Sequence, residues 1–508
     1  MTKKQPIIEL KSIYKSFGSV QANKNISLKI NAGTIHGIVG ENGAGKSTLM
    51  SILYGFYQAD KGTIIIEGQK VSITDSQTAI DRGIGMVFQH FKLVENFSVL
   101  ENIILGAETG NLIAQALASA RKTLSKLAKE YELNVNPDSL IENISVGMQQ
   151  RVEILKSLFR KAKILILDEP TGVLTPAEAE HLFRILKNLK NEGKTIILIT
   201  HKLKEIMSVT DTVSVMRQGT MTATLKTVDT NPEHLAELMV GRKVLLQIEK
   251  KPSQVGPSVL SCRKLNYTDE KGVKRLKDIS FNVRQGEILG IAGVAGNGQS
   301  ELLEVLSGIK NADGEIYVNS RKISLDSKDS NPRSRRHLGI SHVPEDRQKL
   351  GLVMDFYAWE NMALGYHHKK TYNPNRVFMN NKILKQETKE RIRKFDIRPD
   401  DPDLSAKSFS GGNQQKIVLA REIEQNPNLL VVGQPTRGVD IGAIEFIHKR
   451  IIELRDAGKA VILISVELDE ILSLSDRILV MFDGKVMGEK KAADTNEREL
   501  GLLMAGIG

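Results

Sequence analysis

The chain carries two copies of one succession of motifs, and this internal repeat constrains its fold more than any other feature of the sequence. The glycine-rich segment 40–49 recurs 253 positions later, at 293–302. Segments 145–151, 168–171 and 235–239 each recur 265 positions later. Nearly constant offsets between several motifs are typical of a tandem duplication, here with about a dozen residues inserted in the second copy. The sequence therefore predicts two domains with the same fold.

The two copies meet in a short polar stretch that contains proline, residues 250–258. Stretches of this composition are typical of loops and linkers. We therefore predict a first domain over 6–245, a linker over 246–258 and a second domain over 259–508. A chain of 508 residues has ample length for two large cores.

Each copy alternates short apolar runs with helical patterns. In the first copy, residues 35–39, 164–167 and 195–199 are apolar over the length of a strand, as expected for a sheet that is covered on both faces. Residues 47–54 have a helical pattern, and the stretch 98–160 is rich in such patterns. The predicted fold class is α/β, with a helical insertion in each half.

Composition excludes several classes of protein. Hydrophobic residues make up 41% and charged residues 26%, the balance of a folded chain. A single cysteine, Cys262, excludes a disulfide framework and a cysteine-based metal cluster within the chain. No apolar run approaches the ~20 residues that cross a bilayer, and we expect neither a membrane span nor a signal peptide. The net charge of +11 is a mild excess, and the basic stretches lack interleaved aromatic residues, so no nucleic-acid partner is expected.

Residues 40–47 match the phosphate-loop pattern G-x-x-x-x-G-K-[ST] between a strand and a helix. The glycines let successive backbone N–H groups turn inward around phosphates, and the helix N-terminus adds a partial positive charge. We expect Lys46 to neutralise the β- and γ-phosphates and the Ser47 hydroxyl to reach Mg²⁺. The residues predicted to hold the nucleotide here are Gly40, Glu41, Asn42, Gly43, Ala44, Gly45, Lys46, Ser47 and Thr48.

Asp168 and Glu169 follow the apolar run 164–167. Two adjacent carboxylates at the end of a buried strand are costly unless a cation compensates them. Nucleotide-bound Mg²⁺ is the expected partner of Asp168, whereas Glu169 would point elsewhere and polarise an attacking water. The alternative is an ordinary acidic pair at a strand-to-turn junction. The position of the pair 122 residues after Lys46, with His201 following another buried strand, favours the catalytic interpretation.

Together these motifs resemble those of ATP-binding-cassette (ABC) proteins, and the resemblance covers nearly the whole chain. It implies two tandem P-loop NTPase cassettes, each with a mostly parallel sheet core, an antiparallel β portion and a helical subdomain. The implied ligands are ATP and Mg²⁺. The resemblance assigns catalysis to Lys46, Gln89, Glu169 and His201, metal contacts to Ser47, Gln89 and Asp168, and adenine stacking to Phe17.

The second half points to a more specific group within this family. Residues 343–347 and 436–440 look like features of the double-cassette motors of bacterial sugar and nucleoside importers. Residues 293–299 and 434–436 resemble the nucleoside branch more than the sugar branch. The implied partners are transmembrane permease subunits and an extracytoplasmic solute-binding protein or lipoprotein. The implied location is the cytoplasmic face of the cell membrane, as a peripheral protein.

In this family two cassettes meet head to tail, so that each ATP lies between one phosphate loop and the other cassette's Ser-x-Gly signature. The resemblance therefore implies that the first loop is completed by the second signature, through Ser410, Gly411, Gly412 and Gln414. The remaining site departs from the pattern at five positions. These are Gln299 for lysine, Glu345 for the Q-loop glutamine, Gly433-Gln434 for Asp-Glu, Val466 for histidine, and Val146 in the facing signature.

The sequence thus predicts one site that hydrolyses ATP and one that does not, because a lost lysine charge and a lost general base each remove a large part of the catalysis. The predicted function is the ATP-hydrolysing motor of a membrane importer, for nucleosides. A sugar importer of the same group is the first alternative. The second is a soluble twin-cassette ATPase that acts on ribosomes. Proteins of that class normally keep both acidic pairs and have a long charged linker, unlike this chain. A chromosome-associated ATPase is excluded because no extended heptad region exists.

Overall fold

The computed structural model describes residues 6–18, 20–88, 91–107, 113–172, 174, 176–243, 250–294, 296–323, 325, 330–375 and 378–507. The chain divides into two compact units, Met1–Val244 (unit 1) and Leu245–Gly508 (unit 2). Of the predicted linker 246–258, residues 250–257 have no helix or strand and Ser258 already begins a strand; this segment lies within unit 2 and is hydrogen-bonded to the rest of it. The Lys250 ammonium donates to the Leu474 carbonyl oxygen at 3.1 Å, and the Arg455 guanidinium donates to the Lys251 carbonyl oxygen at 2.7 Å.

Among the described residues of unit 1, ten strands and eight α-helices follow one another. The strands are β1 (Pro6–Phe17), β2 (Val20–Asn31), β3 (Ile35–Gly40), β4 (Lys61–Ile66), β5 (Gln69–Val71), β6 (Ile84–Val87), β7 (Ile164–Asp168), β8 (Thr195–Ile199), β9 (Thr212–Arg217) and β10 (Thr220–Lys226). The helices are α1 (Lys46–Leu53), α2 (Ser76–Asp81), α3 (Val99–Ile104), α4 (Ile113–Glu130), α5 (Val146–Phe159), α6 (Pro176–Asn191), α7 (Leu203–Val209) and α8 (Pro232–Val240).

The described part of unit 2 repeats this succession element by element. Its strands are β11 (Ser258–Thr268), β12 (Lys274–Arg284), β13 (Ile288–Ala292), β14 (Asp313–Val318), β15 (Arg321–Ile323), β16 (Ile340–Val343), β17 (Leu429–Gly433), β18 (Ala460–Ser465), β19 (Arg477–Phe482) and β20 (Lys485–Lys491). Its helices are α9 (Gln299–Leu306), α10 (Pro332–His337), α11 (Ala358–Ala363), α12 (Asn381–Lys394), α13 (Gly411–Ile423), α14 (Ile441–Asp456), α15 (Leu468–Leu474) and α16 (Glu497–Met504), with a π-helical turn at Arg347–Gly351.

Each unit has a four-stranded antiparallel sheet and a six-stranded, mostly parallel sheet. In unit 1 the strand orders are β2-β1-β4-β5 and β10-β9-β3-β8-β7-β6; in unit 2 they are β12-β11-β14-β15 and β16-β17-β18-β13-β19-β20. In the larger sheets, β10 and β20 pair antiparallel at one edge, and the other pairs are parallel. Because β3, β6, β7 and β8 are parallel, the residues that follow them meet at one edge of the sheet.

The core of unit 1 lies between its two sheets and encloses the first helix. Leu49 and Leu53 of α1 belong to one buried cluster with Ile8 of β1, Ile38 of β3 and Ile166 of β7. Burying such side chains contributes about 1.5–3 kcal/mol each, so α1 is held firmly behind the loop that precedes it. A corresponding cluster in unit 2 contains Leu302 and Leu303 of α9.

The predicted helix-rich stretch contains α3, α4 and α5, inserted between β6 and β7, and α11 to α13 occupy the same place in unit 2. The predicted apolar runs are strands β3, β7 and β8. The predicted helix after the glycine loop is α1, which starts one residue early, at Lys46. The fold class is therefore confirmed: two tandem α/β units, each with a mostly parallel sheet, an antiparallel portion and a helical subdomain. Within the described ranges, no helix is long and apolar enough to cross a membrane.

Candidate nucleotide-binding sites

The glycine loop of unit 1 joins β3 to α1 and turns tightly because two of its glycines have positive φ. Gly43 has φ 81° and Gly45, which caps the N-terminus of α1, has φ 94°. A Cβ on Gly45 would lie 2.2 Å from the carbonyl oxygen of Ala22, so no other residue fits there without a shift of the backbone. The buried Asn23 amide donates to the Gly45 carbonyl oxygen at 3.0 Å and fixes the turn from the side.

Lys46 begins α1 and its side chain folds back across the loop. Its ammonium nitrogen donates to the carbonyl oxygens of Gly40 at 2.8 Å and Glu41 at 3.0 Å. The residue is only 6% exposed, and burial lowers the pKa of its ammonium group, while the charges of Glu169 and Asp168 raise it. The loop thus holds a preorganised cation at the end of β3, as the sequence predicted for a phosphate site.

Asp168 ends β7 beside this loop, and its surroundings fit a metal ion. Burial raises the pKa of its carboxyl group above the ordinary value, and a hydrogen bond from Ser47 opposes that rise. Its Oδ1 atom is buried and has no hydrogen-bond partner within the described part of the chain. A carboxylate oxygen without a donor next to a hydroxyl is an oxygen donor set that suits Mg²⁺. Gln89, the third predicted metal contact, lies outside the described residues.

Glu169 and His201 are brought together at the same sheet edge. Glu169 has a positive φ of 49°, and its N–H donates to the Ile199 carbonyl oxygen at 2.9 Å. One carboxylate oxygen lies 2.7 Å from Nδ1 of His201. Burial by itself would raise the pKa of Glu169, but the His201 hydrogen bond and the charges of His201, Lys46 and Lys202 lower it below its ordinary value. A deprotonated carboxylate held by a histidine is suited to orient or deprotonate a water.

A buried carboxylate that sequence reasoning missed braces the two strand ends. Glu205 accepts hydrogen bonds from the hydroxyls of Thr171 and, at 3.1 Å, Thr200. It therefore connects the turn after β7 with the end of β8, where Glu169 and His201 lie. Glu470 occupies the corresponding place in unit 2, and its Oε1 lies 2.9 Å from His448 Nε2. The 265-residue recurrence of this glutamate was the signal that could have found it.

Phe17, predicted to stack on adenine, lies at the end of β1. Its ring is 43% exposed and meets the Tyr57 ring edge-on at a centroid distance of 5.1 Å. The Lys15 ammonium lies 5.4 Å from the centroid of the Phe17 ring. An exposed aromatic face beside a cation is available to a nucleobase. The stacking itself stays a prediction.

The equivalent loop of unit 2 keeps the same backbone turn but not the cation. Gly298 has φ 100° and caps α9, as Gly45 caps α1. Gln299 takes the place of Lys46 and is 5% exposed. Its Nε2 is buried and has no hydrogen-bond partner within the described ranges.

Unit 2 has lost one carboxylate near its glycine loop and gained another. Gly433 stands where unit 1 has Asp168, and Glu345 stands where unit 1 has Gln89. The Ser300 hydroxyl donates to Oε2 of Glu345 at 2.6 Å. Burial raises the pKa of Glu345, whereas the Ser300 hydrogen bond and the charge of Arg437 lower it. A Cβ on Gly433, which replaces Asp168, would lie 2.6 Å from Glu345 Cγ.

Gln434 replaces Glu169 without altering the backbone. Its φ is 47°, and its N–H donates to the Ile464 carbonyl oxygen at 2.7 Å, as the Glu169 N–H does to β8. Its amide oxygen accepts from the backbone N–H of Val466 at 3.4 Å. This position therefore offers a neutral amide and no histidine, a set that cannot accept a proton from water.

The signature turn of unit 2 is a helix N-terminus. Ser410 caps α13: its hydroxyl oxygen accepts from the backbone N–H of Asn413 at 3.4 Å and from the side-chain Nδ2 of Asn413 at 2.9 Å. Gly411 and Gly412 open the helix, and a Cβ on Gly411 would lie 2.5 Å from Arg347 Nη2. In unit 1, Ser145 caps α5 in the same way, and the side chain of Val146 lies outside the described residues.

Arg347 and Gln414, both in unit 2, form hydrogen bonds that fix the position of this turn. The Arg347 guanidinium donates to the carbonyl oxygen of Arg437 at 2.7 Å and reaches Oε1 of Gln414 at 3.4 Å. Gln414 is buried, and its Nε2 donates to the carbonyl oxygens of Ala406 at 3.2 Å and Phe409 at 3.0 Å. Its predicted contact with nucleotide stays a prediction. Sequence reasoning placed Arg347 in a group-specific segment but gave it no role.

The sheet order, the glycine loop and the Lys, Asp, Glu and His set define a nucleoside-triphosphate hydrolase of the phosphate-loop class. Comparison with known proteins narrows this class. A family model described as "ABC transporter" matches residues 23–172 and 276–437. The chain therefore belongs to the ABC transporter family, and it is an ATP-hydrolysing transport protein with two cassettes, as its motifs predicted.

Three relatives align over almost their whole length. The guanosine import ATP-binding protein NupO of Bacillus subtilis (strain 168) is 49% identical over 98% of this chain and 97% of its own. The nucleoside import ATP-binding protein NupA of Lactococcus lactis subsp. cremoris (strain MG1363) is 47% identical over 99% of this chain and 98% of its own. The ribose import ATP-binding protein RbsA of Clostridium tetani (strain Massachusetts / E88) is 37% identical over 98% of this chain and 97% of its own.

Proposed function

We propose that this chain is the ATP-hydrolysing motor of an importer that carries nucleosides. The supporting observation is the near full-length identity of 49% and 47% to two proteins named for guanosine and nucleoside import, against 37% to one named for ribose import. The motor itself does not touch the solute, so this proposal concerns the transport system to which the chain belongs.

We further propose that the productive ATP lies between the unit 1 loop and the signature turn of unit 2. Unit 1 supplies Lys46, Asp168, Glu169 and His201, while unit 2 supplies Ser410 and the N–H groups that open α13. The buried lysine and the 2.7 Å contact between Glu169 and His201 support the choice of the unit 1 loop as the productive one, and the pairing with the unit 2 signature rests on the family resemblance. The domains proposed for the two roles are 6–245 and 259–508, joined by 246–258.

In this proposal each residue has a distinct task. Lys46 binds the β- and γ-phosphates of ATP, and the signature N–H groups stabilise the charge that develops on the transferred phosphoryl group. Glu169 accepts a proton from, or orients, the attacking water, and His201 fixes the direction of that carboxylate. Ser47, Asp168 and Gln89 would hold Mg²⁺, which neutralises phosphate charge when it is bound. The proposed partners are permease subunits and an extracytoplasmic solute-binding protein, and the proposed location is the cytoplasmic face of the membrane.

Reconstitution tests the solute class directly. The chain, copurified with its membrane subunits, is placed in proteoliposomes with the binding protein, and ATP hydrolysis is measured with guanosine, adenosine, uridine, ribose or glucose. We expect several-fold stimulation by nucleosides and none by the free sugars. The same preparation with Glu169→Gln is the control and should lose the stimulation. Stimulation by ribose alone would replace the nucleoside proposal with the sugar alternative.

A further inference from the structure

Unit 2 contains two stretches without an acidic residue, residues 330–344 and 361–386. The first runs through α10, and the second includes residues 364–380, which connect α11 to α12. The second stretch holds five lysines and arginines, and no carboxylate within it offsets their charge. A surface with this excess of one sign attracts partners of the opposite sign.

The fold brings the two stretches into contact through three histidine rings. The centroid of the His337 ring, at the end of α10, lies 5.3 Å from that of the His368 ring, and the centroid of the His367 ring lies 5.9 Å from it. Burial lowers the pKa of His368, and the charge of Arg333 lowers it further. Arg333 and Lys370 are exposed, and neither makes an ion pair with a residue that the structure describes. The basic cluster consists of Arg333, His337, His367, His368, Lys369 and Lys370.

Two exposed apolar side chains lie at the other end of the same connection. Phe378 is 78% exposed, more than any other phenylalanine, tyrosine or tryptophan in the described part of the chain, and Met379 is 40% exposed. The Asn380 N–H donates to the Tyr372 carbonyl oxygen at 2.7 Å, and the Tyr372 N–H donates to the Lys369 carbonyl oxygen at 2.9 Å. The backbone therefore folds back and holds Phe378 and Met379, the apolar pair, close to the basic cluster.

Unit 1 has the same fold but not these charges. Its helix α2, the counterpart of α10, contains no lysine or arginine and ends at Asp81, whereas α10 contains three arginines and ends at His337. Residues 105–112 stand between α3 and α4 and include a glutamate and no cation, where unit 2 has the longer connection 364–380. Because the shared fold does not require the basic cluster or the apolar pair, these features indicate a partner that contacts unit 2 and not unit 1.

We propose that the basic cluster and the apolar pair bind the surface of a bilayer that contains anionic lipids, without the permease subunits. The cations attract lipid phosphates, and Phe378 and Met379 enter the headgroup region, a combination typical of peripheral membrane anchors. This inference rests on the proposed membrane location, because the cytoplasmic leaflet is the anionic surface nearest to such a motor. Single-stranded nucleic acid is the weaker candidate, since several aromatic side chains usually stack on its bases and this surface offers one phenylalanine.

Vesicle binding by the purified full-length chain, without permease subunits, tests this proposal. Sedimentation with vesicles of phosphatidylcholine alone is compared with sedimentation with vesicles that also contain phosphatidylglycerol. We expect at least about tenfold tighter binding to the anionic vesicles. Binding should be lost in about 1 M NaCl, where the Debye length is about 3 Å. Arg333→Glu combined with Lys370→Glu should weaken binding to anionic vesicles at least about tenfold, because each reversal replaces an attraction with a repulsion.

Matched variants separate this surface from the positive charge of the whole chain. Lys122→Glu combined with Lys126→Glu makes the same change in net charge at two exposed positions of α4 in unit 1 and should bind anionic vesicles as wild type does. Phe378→Trp reports insertion of the apolar pair. Its fluorescence should shift to shorter wavelengths on anionic vesicles, whereas wild type, whose single tryptophan Trp359 is buried, should show no shift.

Equal binding to both kinds of vesicle, or equal loss in the two charge-reversal variants, would overturn the proposal. An unshifted Phe378→Trp spectrum would remove the apolar pair from it. A chain that bound single-stranded RNA and no vesicles, and lost the RNA on Arg333→Glu with Lys370→Glu, would instead have a nucleic-acid site here. Solute-stimulated hydrolysis does not enter these measurements. Failure of vesicle binding therefore leaves the import proposal intact, and failure of nucleoside stimulation leaves direct lipid binding intact.

Discussion

Glu169 and Gln434 occupy equivalent backbone positions and differ by one atom of the side chain. Both have φ near 48°, within a degree (49° and 47°), and both donate their N–H to the neighbouring strand. Unit 2 therefore shows that glutamine fits at this place. We expect Glu169→Gln to fold normally and to retain ATP, but to hydrolyse it about 10²–10⁴ times more slowly, because the amide cannot take a proton. ATPase rate, ATP binding and melting temperature are the three measurements.

The control for this variant is Gln434→Glu, which adds a carboxylate to unit 2 without the histidine and lysine of unit 1. Its hydrolysis rate should stay within about twofold of wild type, since one base does not restore a site that lacks its phosphate-binding lysine. A Glu169→Gln protein with normal ATPase activity would show that another group is the base.

A second residue-level prediction concerns acid stability. His36 in β3 is 1% exposed, its Nε2 lies 2.9 Å from the Ser214 hydroxyl, and burial lowers the pKa of its ring to about 4. An exposed histidine in the unfolded chain titrates near about 6.5. Above that pH both states are neutral. Below it the unfolded chain takes up a proton that the folded chain excludes, so the free energy of unfolding falls by about 3 kcal/mol as pH drops from about 6.5 to about 4.

Chemical unfolding at pH 7.5, 6.0 and 5.0 measures this effect. His36→Gln should be less stable than wild type at pH 7.5, because it loses packing, but should lose less further stability on acidification. His234→Gln on the exposed surface of α8 is the control and should follow the wild-type pH dependence. A His36→Gln protein with the full acid sensitivity of wild type would assign that sensitivity to other groups.

The π-helical turn Arg347–Gly351 contacts the signature turn of unit 2 through the side chain of Arg347. The Arg347 guanidinium contacts Gln414 in α13 and the loop carbonyl oxygen of Arg437, and its Nη2 closes the space beside Gly411. Loss of these bonds should leave the α13 N-terminus less ordered, at a cost of about 1–2 kcal/mol in the transition state. We expect Arg347→Ala to lower ATPase activity about tenfold, mainly in kcat, and Arg347→Lys to recover part of it.

Lys349→Ala is the matched control, because Lys349 is exposed on the same turn. It should keep wild-type activity. If Arg347→Ala changed only the melting temperature and neither kcat nor KM, Arg347 would be a structural residue and not one that positions the signature.

Which elements the sequence could predict depends on how local their causes are. The strands β3, β7 and β8 follow from continuous apolar runs, and the glycine loop follows from its motif, because each signal lies within a few residues. The start of α1 at Lys46 depends on the αL conformation of Gly45, which a motif does not specify. The Ser300–Glu345 and Arg347–Gln414 contacts join residues 45 and 67 positions apart, through side chains with no periodic pattern. The sequence indicated that Glu345 departs from the family pattern, but only the fold showed which hydroxyl it contacts.

At the scale of the whole molecule, the proposed pairing of unit 1's loop with unit 2's signature predicts an asymmetry between matched substitutions. Lys46→Ala removes the phosphate-binding charge and should abolish ATP hydrolysis in the complete transporter complex. Ser410→Arg should abolish it as thoroughly under this proposal, because the bulky cation would replace the serine cap at the N-terminus of α13, which is proposed to complete the same site. Ser145→Arg makes the identical change at the cap of α5, with a similar cost of about 1 kcal/mol in helix stability. Under the proposed pairing, that signature would face the site without a base. The ATPase rate of the Ser145→Arg variant should therefore fall far less, as should the rate of Gln299→Ala. If Ser145→Arg and Gln299→Ala reduced hydrolysis as much as Lys46→Ala and Ser410→Arg do, both sites would be productive, and the assignment of one catalytic site to this chain would be wrong.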